Sequence, residues 1–301
     1  MEDTNLDILA KLLPVDKKLF DKLNNKQNKF QSVLNLPLTR IAEVDTYHSN
    51  VDLNATPIQI NIIGAGGTGG YLVRDLSRFI YSIEKRTSKS NISITIFDGD
   101  NVEEKNILRQ NFLPHDIGQN KAEVLALRHV RAFGTNINYV PEMFESVHTS
   151  SQKWRGFNNS EKGTIIYVGC VDNNAARREI AKTMENFRTE NWGRQSQEIW
   201  WIDSGNERKT GQVIAGSNYL MDVTDFYPEI LLPEYDSKEV ISCADRMMED
   251  EQNMFVNLTA SNLILNYLRK IILNEPMITN GSVFNIDNKV DNYYILKDNK
   301  G

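Results

Sequence analysis

The stretch IIGAGGTGGYLVRDL, residues 62–76, decides the reading of this chain. The run IQINII (58–63) before it is filled with apolar residues and ends at a glycine, the pattern of a strand buried on both faces. Beyond the glycines, Leu72, Val73, Leu76, Phe79, Ile80 and Ile83 recur at helical spacing, so a helix follows the turn. Gly64, Gly66 and Gly69 stand as G-x-G-x-x-G between strand and helix, with Gly67 inside the motif. In such a turn the first glycine permits the bend, the second lets backbone approach a phosphate, and the third packs helix on strand. Free N–H groups and the helix dipole then favour an anion. No GK[ST] comes after it, which excludes a Walker-type phosphate loop.

The pattern repeats along the chain. ISITIFD (92–98) is a second strand, GQNKAEVLALRHVRAF (118–133) an amphipathic helix, INYVPEMF (137–144) a third strand. GTIIYVGCVDN (163–173) is a fourth strand, AARREIAKTMENF (175–187) a helix and EIWWIDSGN (198–206) a fifth strand. Strands alternating with helices imply right-handed crossovers and an α/β fold with a doubly wound, mostly parallel, Rossmann-like sheet. The C-terminal half differs. YPEILLPEYDSKE (227–239) reads as a loop, residues 255–273 as the longest helix, and VFNID with YYILK as a closing antiparallel hairpin.

Composition narrows the function. The 301 residues carry a net charge of −6, which gives no electrostatic case for nucleic-acid binding. No apolar run approaches the roughly 20 residues of a membrane span, and the acidic start MEDTNLDILAKLLPVDKK lacks a signal-peptide core. Two cysteines, Cys170 and Cys243, without a CxxC pair argue against a disulfide framework or a cysteine-rich zinc site and point to a reducing cytoplasm. His115 and His129 read as ordinary surface or partly buried residues.

The turn alone leaves two ligands open, a dinucleotide or ATP. A dinucleotide fold expects an acid about 20 residues past the glycines; Asp98 lies 29 residues past Gly69. The segment around and beyond this acid, FDGDNVEEKNILRQNFLPHDIGQNKA (97–122), is dense in polar groups. Asp98 can accept from ribose hydroxyls. Asn106, Arg109 and Gln110 lie within one helical turn, and Lys121 opens the next helix. Arginine and lysine beside a glycine cradle suit a triphosphate. Asp172 ends strand four at the carboxyl edge, where ligands of open α/β sheets bind and a carboxylate can hold Mg²⁺.

GAGGTGG, then D-x-D-x-V-x-x-x-N-x-x-R-Q from Asp98 and Asp100 to Gln110, then G-Q-x-K, then C-V-D-N resemble the ThiF/MoeB/HesA superfamily of ubiquitin-activating-enzyme-like adenylyltransferases. NILRQNF, WWIDSGNERKTGQV and SCAD…FVNLTASNLI are most similar to its PRTRC-system branch. The resemblance implies ATP- and Mg²⁺-dependent adenylation of the C-terminal glycine of a ubiquitin-like β-grasp carrier protein, with release of pyrophosphate, by a homodimer. It implies ATP binding through Gly64, Gly66, Gly67, Gly69, Asp98, Asp100, Asn106, Arg109, Gln110 and Lys121. Arg109 and Lys121 would act on the phosphates and Asp172 on Mg²⁺. The plain reading of Asp98 and Asp172 is helix capping, and of Lys121 a solvated helix residue.

On this reading residues 1–50 are an N-terminal extension with a helix around Leu6–Leu13, and 51–220 the ATP-binding domain. Residues 221–301 are a crossover loop, long helix and hairpin of the same unit. Cys170 reads as a small buried hydrophobe. Cys243 is either a buried structural cysteine or a covalent link to the carrier, although Asp236, Glu239 and Asp245 would raise its pKa. The two CxxC pairs of many relatives are missing, so no zinc is expected; MEDEQNMFVN replaces their GVLGP-like segment. Trp200, Trp201, Phe226 and Tyr227 read as core, or as a carrier groove where exposed. Two rivals remain open: an NAD(P)- or FAD-dependent oxidoreductase on the same fold, and a non-catalytic scaffold for ATP and a ubiquitin-like protein.

Overall fold

The computed structural model describes residues 46–53, 55–87, 91–146, 148, 163–190, 197–233, 254–287 and 289–294. The helix expected at Leu6–Leu13, the acidic stretch 234–239 and Cys243 lie outside them. Elements run β1 (Ile58–Ile63), α1 (Gly67–Glu84), β2 (Ile92–Phe97), α2 (Glu104–Ile107), α3 (Lys121–Phe133), β3 (Ile137–Val140), β4 (Gly163–Gly169) and α4 (Asn174–Glu190). Then come β5 (Gln197–Asn206), β6 (Thr210–Ser217), α5 (Val223–Phe226), α6 (Met254–Ile272), β7 (Thr279–Asn285) and β8 (Lys289–Tyr294).

All eight strands form one sheet in the order β3-β2-β1-β4-β5-β6-β7-β8. The first five are parallel, the last three antiparallel. The expected architecture is therefore present, and β1 and β4 flank the point where strand order reverses. Side chains alternate between faces, as pleating requires. Ile58, Ile60, Ile62, Trp200 and Ile202 join the core under α1, α3 and α6. Ile63, Tyr167, Ile199 and Trp201 join the core under α4 and residues 223–230.

Trp200 and Trp201 are fully buried and belong to the core; they offer no surface to a carrier. β3 stops at Val140, shorter than the expected 137–144, because Pro141 has no N–H for the ladder. Pro228–Leu231, expected as loop, forms a 3-10 turn. β6 was not separable in the sequence. Gly211 and Gly216 interrupt its pattern because their missing side chains leave room for Phe284 and Asp222.

Candidate functional site

The glycine turn sits at the topological switch point. Gly64 adopts φ +93°, and a Cβ there would lie 2.7 Å from the carbonyl oxygen of Cys170. The turns after β1 and β4 thus touch through backbone, and only glycine fits. A Cβ on Gly69 would overlap the Gly64 carbonyl oxygen, so α1 closes directly on the turn. No side chain caps α1 at Gly66 and no acid occupies its first turn. Its leading N–H groups are left for an anion.

Asp98, 8% exposed, locks the turn to the end of β2. Its carboxylate accepts from Ala65 N–H at 2.6 Å and Asp100 N–H at 2.8 Å. Burial pushes its carboxyl up, while Lys121 and these two N–H groups pull it back. Asp98 caps no helix, against its plain reading; it ties loop backbone, and each carboxylate oxygen keeps a second lone pair for a hydroxyl donor.

Lys121 is buried at the start of α3 and donates to Asp100 at 2.9 Å. It is not the solvated helix residue of the plain reading. Asn120 caps α3, accepting from Glu123 N–H at 3.0 Å and donating to Asp98 O at 2.8 Å, so the lysine's helix is fixed to the backbone at Asp98. The helix begins at Lys121 rather than Gly118, whose φ of +86° breaks it.

α2 covers only Glu104–Ile107, so Arg109 and Gln110 lie just past it rather than within it. Their N–H groups still bond to Asn106 O, at 3.3 and 2.9 Å, which keeps the three residues together. Asn106 caps this short helix through Glu103 N–H at 2.8 Å. The segment lies on the start of α1: Tyr71 hydroxyl donates to Arg109 O at 3.4 Å and Asn111 donates to Gly70 O at 3.1 Å. Arg109 and Gln110 are buried, and no group among the described residues donates to Gln110 Oε1. A buried acceptor in this position is what a ligand donor would satisfy.

Asp172 lies in the turn after β4 and is exposed. It does not cap α4; Asn173 does, accepting from Ala176 N–H at 2.9 Å. Its capping reading is thereby removed. Among the described residues no group of three or more His, Cys, Asp or Glu side chains converges, so Asp172 is not part of a preformed metal cage. Cys170 is half-buried, and desolvation pushes its thiol up, the setting of a structural cysteine.

Three features were not anticipated. Arg177 on α4 donates to Asp203 of β5 at 2.8 Å, to Val171 O at 2.8 Å and to Ser204 O at 2.9 Å. Burial raises the Asp203 carboxyl and Arg177 opposes that rise. This pair floors a cleft of about 190 Å³ that also takes in Asn174, Gln212, Tyr227 and Glu229. Asn206 and Asn257 meet at the back of the glycine turn. His129 is 5% exposed with no hydrogen-bond partner among the described residues for either ring nitrogen, and burial lowers its pKa to about 4. It is a core residue, more buried than its sequence context suggested.

The profile of the ThiF family matches residues 41–300. The chain belongs to the ThiF family. Solved structures of similar fold include E. coli MccB with ATP, at 15% identity and TM-score 0.51, over 81% of this chain and 64% of that one. E. coli MccB with AMPCPP and MccA gives 15% and 0.51, over 82% and 66%. PaaA gives 12% and 0.52, over 97% and 87%. The chain spans just under two thirds of the length of MccB. No curated protein matches the sequence. At these identities the likeness establishes the fold; the site's chemistry rests on the residues of this ThiF-family chain itself. No helix among the described residues is long and apolar enough to cross a membrane.

Proposed function

We propose that this ThiF-family chain is an ATP-dependent adenylyltransferase acting on the C-terminal carboxylate of a protein or peptide, with a glycine-ended β-grasp carrier as the favoured partner. One observation carries the reading: the uncapped start of α1 has buried Arg109 and Gln110 on one side, Lys121 beyond Asp98, and exposed Asp172 just after the abutting β4 turn.

The partner's carboxylate oxygen attacks the α-phosphorus, a P–O bond forms, and the bond to the β-phosphate oxygen breaks to release pyrophosphate. No protein nucleophile is needed; the work is positioning and neutralising charge. Asp98 accepts from the ribose, the α1 N–H groups and Arg109 bind phosphate oxygens, and Lys121, oriented by Asp100, faces the α-phosphate. Asp172 would hold Mg²⁺, which when bound would supply charge neutralisation to the phosphates. The cleft over Arg177 and Asp203 opens at the same end of the sheet and suits the partner's last residues. Cys243 remains a proposed covalent link after activation, and a homodimer the proposed assembly.

The test is ATP–pyrophosphate exchange with glycine-ended ubiquitin-like proteins and with peptides bearing free C-termini. Exchange that disappears in Arg109→Ala and Asp172→Ala supports the proposal. Absence of exchange with every carboxylate offered, while nicotinamide or flavin cofactors bind, would sink it.

A further inference from the structure

Two glycines of GAGGTGG, Gly67 and Gly70, lie outside the G-x-G-x-x-G pattern, and Gly67 faces a distant side chain. Gly67 opens α1, and a Cβ built on it would overlap the side-chain amide of Asn257, in the first turn of α6. Asn257 is 5% exposed and 190 residues away in sequence. Its Oδ1 accepts from the Thr68 hydroxyl at 3.3 Å and from Asn206 Nδ2 at 3.2 Å. Asn206 Nδ2 lies 2.8 Å from Thr68 Oγ1 as well. Three neutral polar side chains, from the phosphate-facing turn, the end of β5 and the start of α6, therefore close on one another behind the turn.

We infer that Asn257, with Asn206, is a positioning residue for the anion site: it holds the first turn of α1 from behind and keeps the Thr68 hydroxyl away from the groups that receive phosphate. This inference rests on the nucleotide reading above. A threonine in the first turn of a helix readily bonds to nearby backbone, competing with other ligands of that backbone. Here its hydroxyl is committed to Asn257, and the turn carries neither a side-chain cap nor an acid. The bonds of Asn257 run to Thr68 and Asn206, so it acts through Thr68 and the backbone at Gly67. The acceptor must also be uncharged. A carboxylate at 257 would accept the same two hydrogen bonds but place a negative charge beneath the anion.

The test is calorimetric titration of the full chain with ATP and, separately, with adenosine, beside thermal unfolding of the ligand-free protein. Asn257→Ala is expected to weaken ATP about tenfold, the scale of one lost hydrogen bond, with adenosine affinity unchanged. Asn206→Ala, which leaves α6 intact, is expected to do the same, and the double variant little more than either. Asn257→Asp is expected to weaken ATP further than Asn257→Ala, an excess that shrinks in high salt. Variants that lose thermal stability yet bind ATP as the wild type does overturn the inference, as does an equal loss for ATP and adenosine. A wild type that binds neither overturns the nucleotide reading itself.

Discussion

The glycines of the turn are adjacent in sequence but answer to different physics, and alanine substitution separates them. At Gly69 a methyl group would overlap the carbonyl oxygen of Gly64 and come within 3.4 Å of Cys170 Cβ. The first obstacle is backbone, so it cannot rotate away, and α1 would have to lift from the sheet where Leu72 and Leu76 are fully buried. Overpacking costs about 1–3 kcal/mol where side chains can adjust; against fixed backbone we expect about 3 kcal/mol. For a chain of 301 residues, at about 2.1 cal/mol/K of unfolding entropy per residue, that is a fall of about 5 °C in Tm. At Gly66 the nearest heavy atom is Gln110 Nε2 at 3.9 Å, so a methyl meets open space. Stability should change by no more than about 0.5 kcal/mol. That open space is where phosphate approaches backbone, so ATP affinity should fall at least about tenfold. Scanning calorimetry and titration with ATP read the two effects separately. Gly66→Ala with undiminished ATP affinity, or Gly69→Ala with an unchanged Tm, would refute the reasoning.

Lys121→Ala removes an ion pair with a largely exposed partner, worth less than about 1 kcal/mol, but should slow pyrophosphate exchange about a hundredfold or more; retained exchange with a normal Tm would remove Lys121 from the site. Arg177→Ala leaves the buried Asp203 carboxylate uncompensated and should cost about 3–5 kcal/mol in denaturant unfolding, of which Asp203→Asn in the same chain should recover a part; a cost under about 1 kcal/mol would contradict the pairing. His129 gives a pH signature. Its folded pKa is near 4 against about 6.5 unfolded, so the unfolded chain binds the extra proton first. Stability should therefore fall as pH drops from about 6.5 to 4 and level off below, by about 2 kcal/mol after allowance for solvent screening. His129→Leu should flatten that slope, and a slope unchanged in the variant would assign it to another group.

The parallel half of the sheet was legible because each of its signals is local. IQINII and ISITIF are rich in isoleucine, and a glycine turn or an acid ends each. The placement of Gly64, Asp98 and Asp172 was legible for the same reason: in a doubly wound sheet they follow the carboxyl ends of β1, β2 and β4, so short motifs are delivered to one edge by topology alone. β6 carries no such signal. TGQVIAGS places glycines where Phe284 and Asp222 need room, and those neighbours lie 73 and 6 residues away in sequence. His129 reads in the sequence as a surface or partly buried residue, yet its face of α3 turns inward.

The residues that escaped sequence reading share a property. Arg177 and Asp203, Asn257 and Asn206, take no part in the bond changes of the proposed reaction; their hydrogen bonds tie together the segments around it. Arg177 ties the carbonyls of Val171 and Ser204, the exits of β4 and β5, and so sets where Asp172 stands. Asn257 fills the space a Gly67 Cβ would need, the position from which, as inferred above, it holds the start of α1. A ligand-contacting residue must be of one type in one motif, because the ligand's chemistry dictates it. A supporting residue need only match its neighbour in space, and many pairs satisfy that. The pair Gly67 and Asn257 shows the consequence: the small residue is written inside the recognisable motif, while the side chain that requires it lies on a helix where that motif gives no hint. The chemistry of this site is thus encoded in short motifs, and its geometry in matched pairs that only the fold brings together.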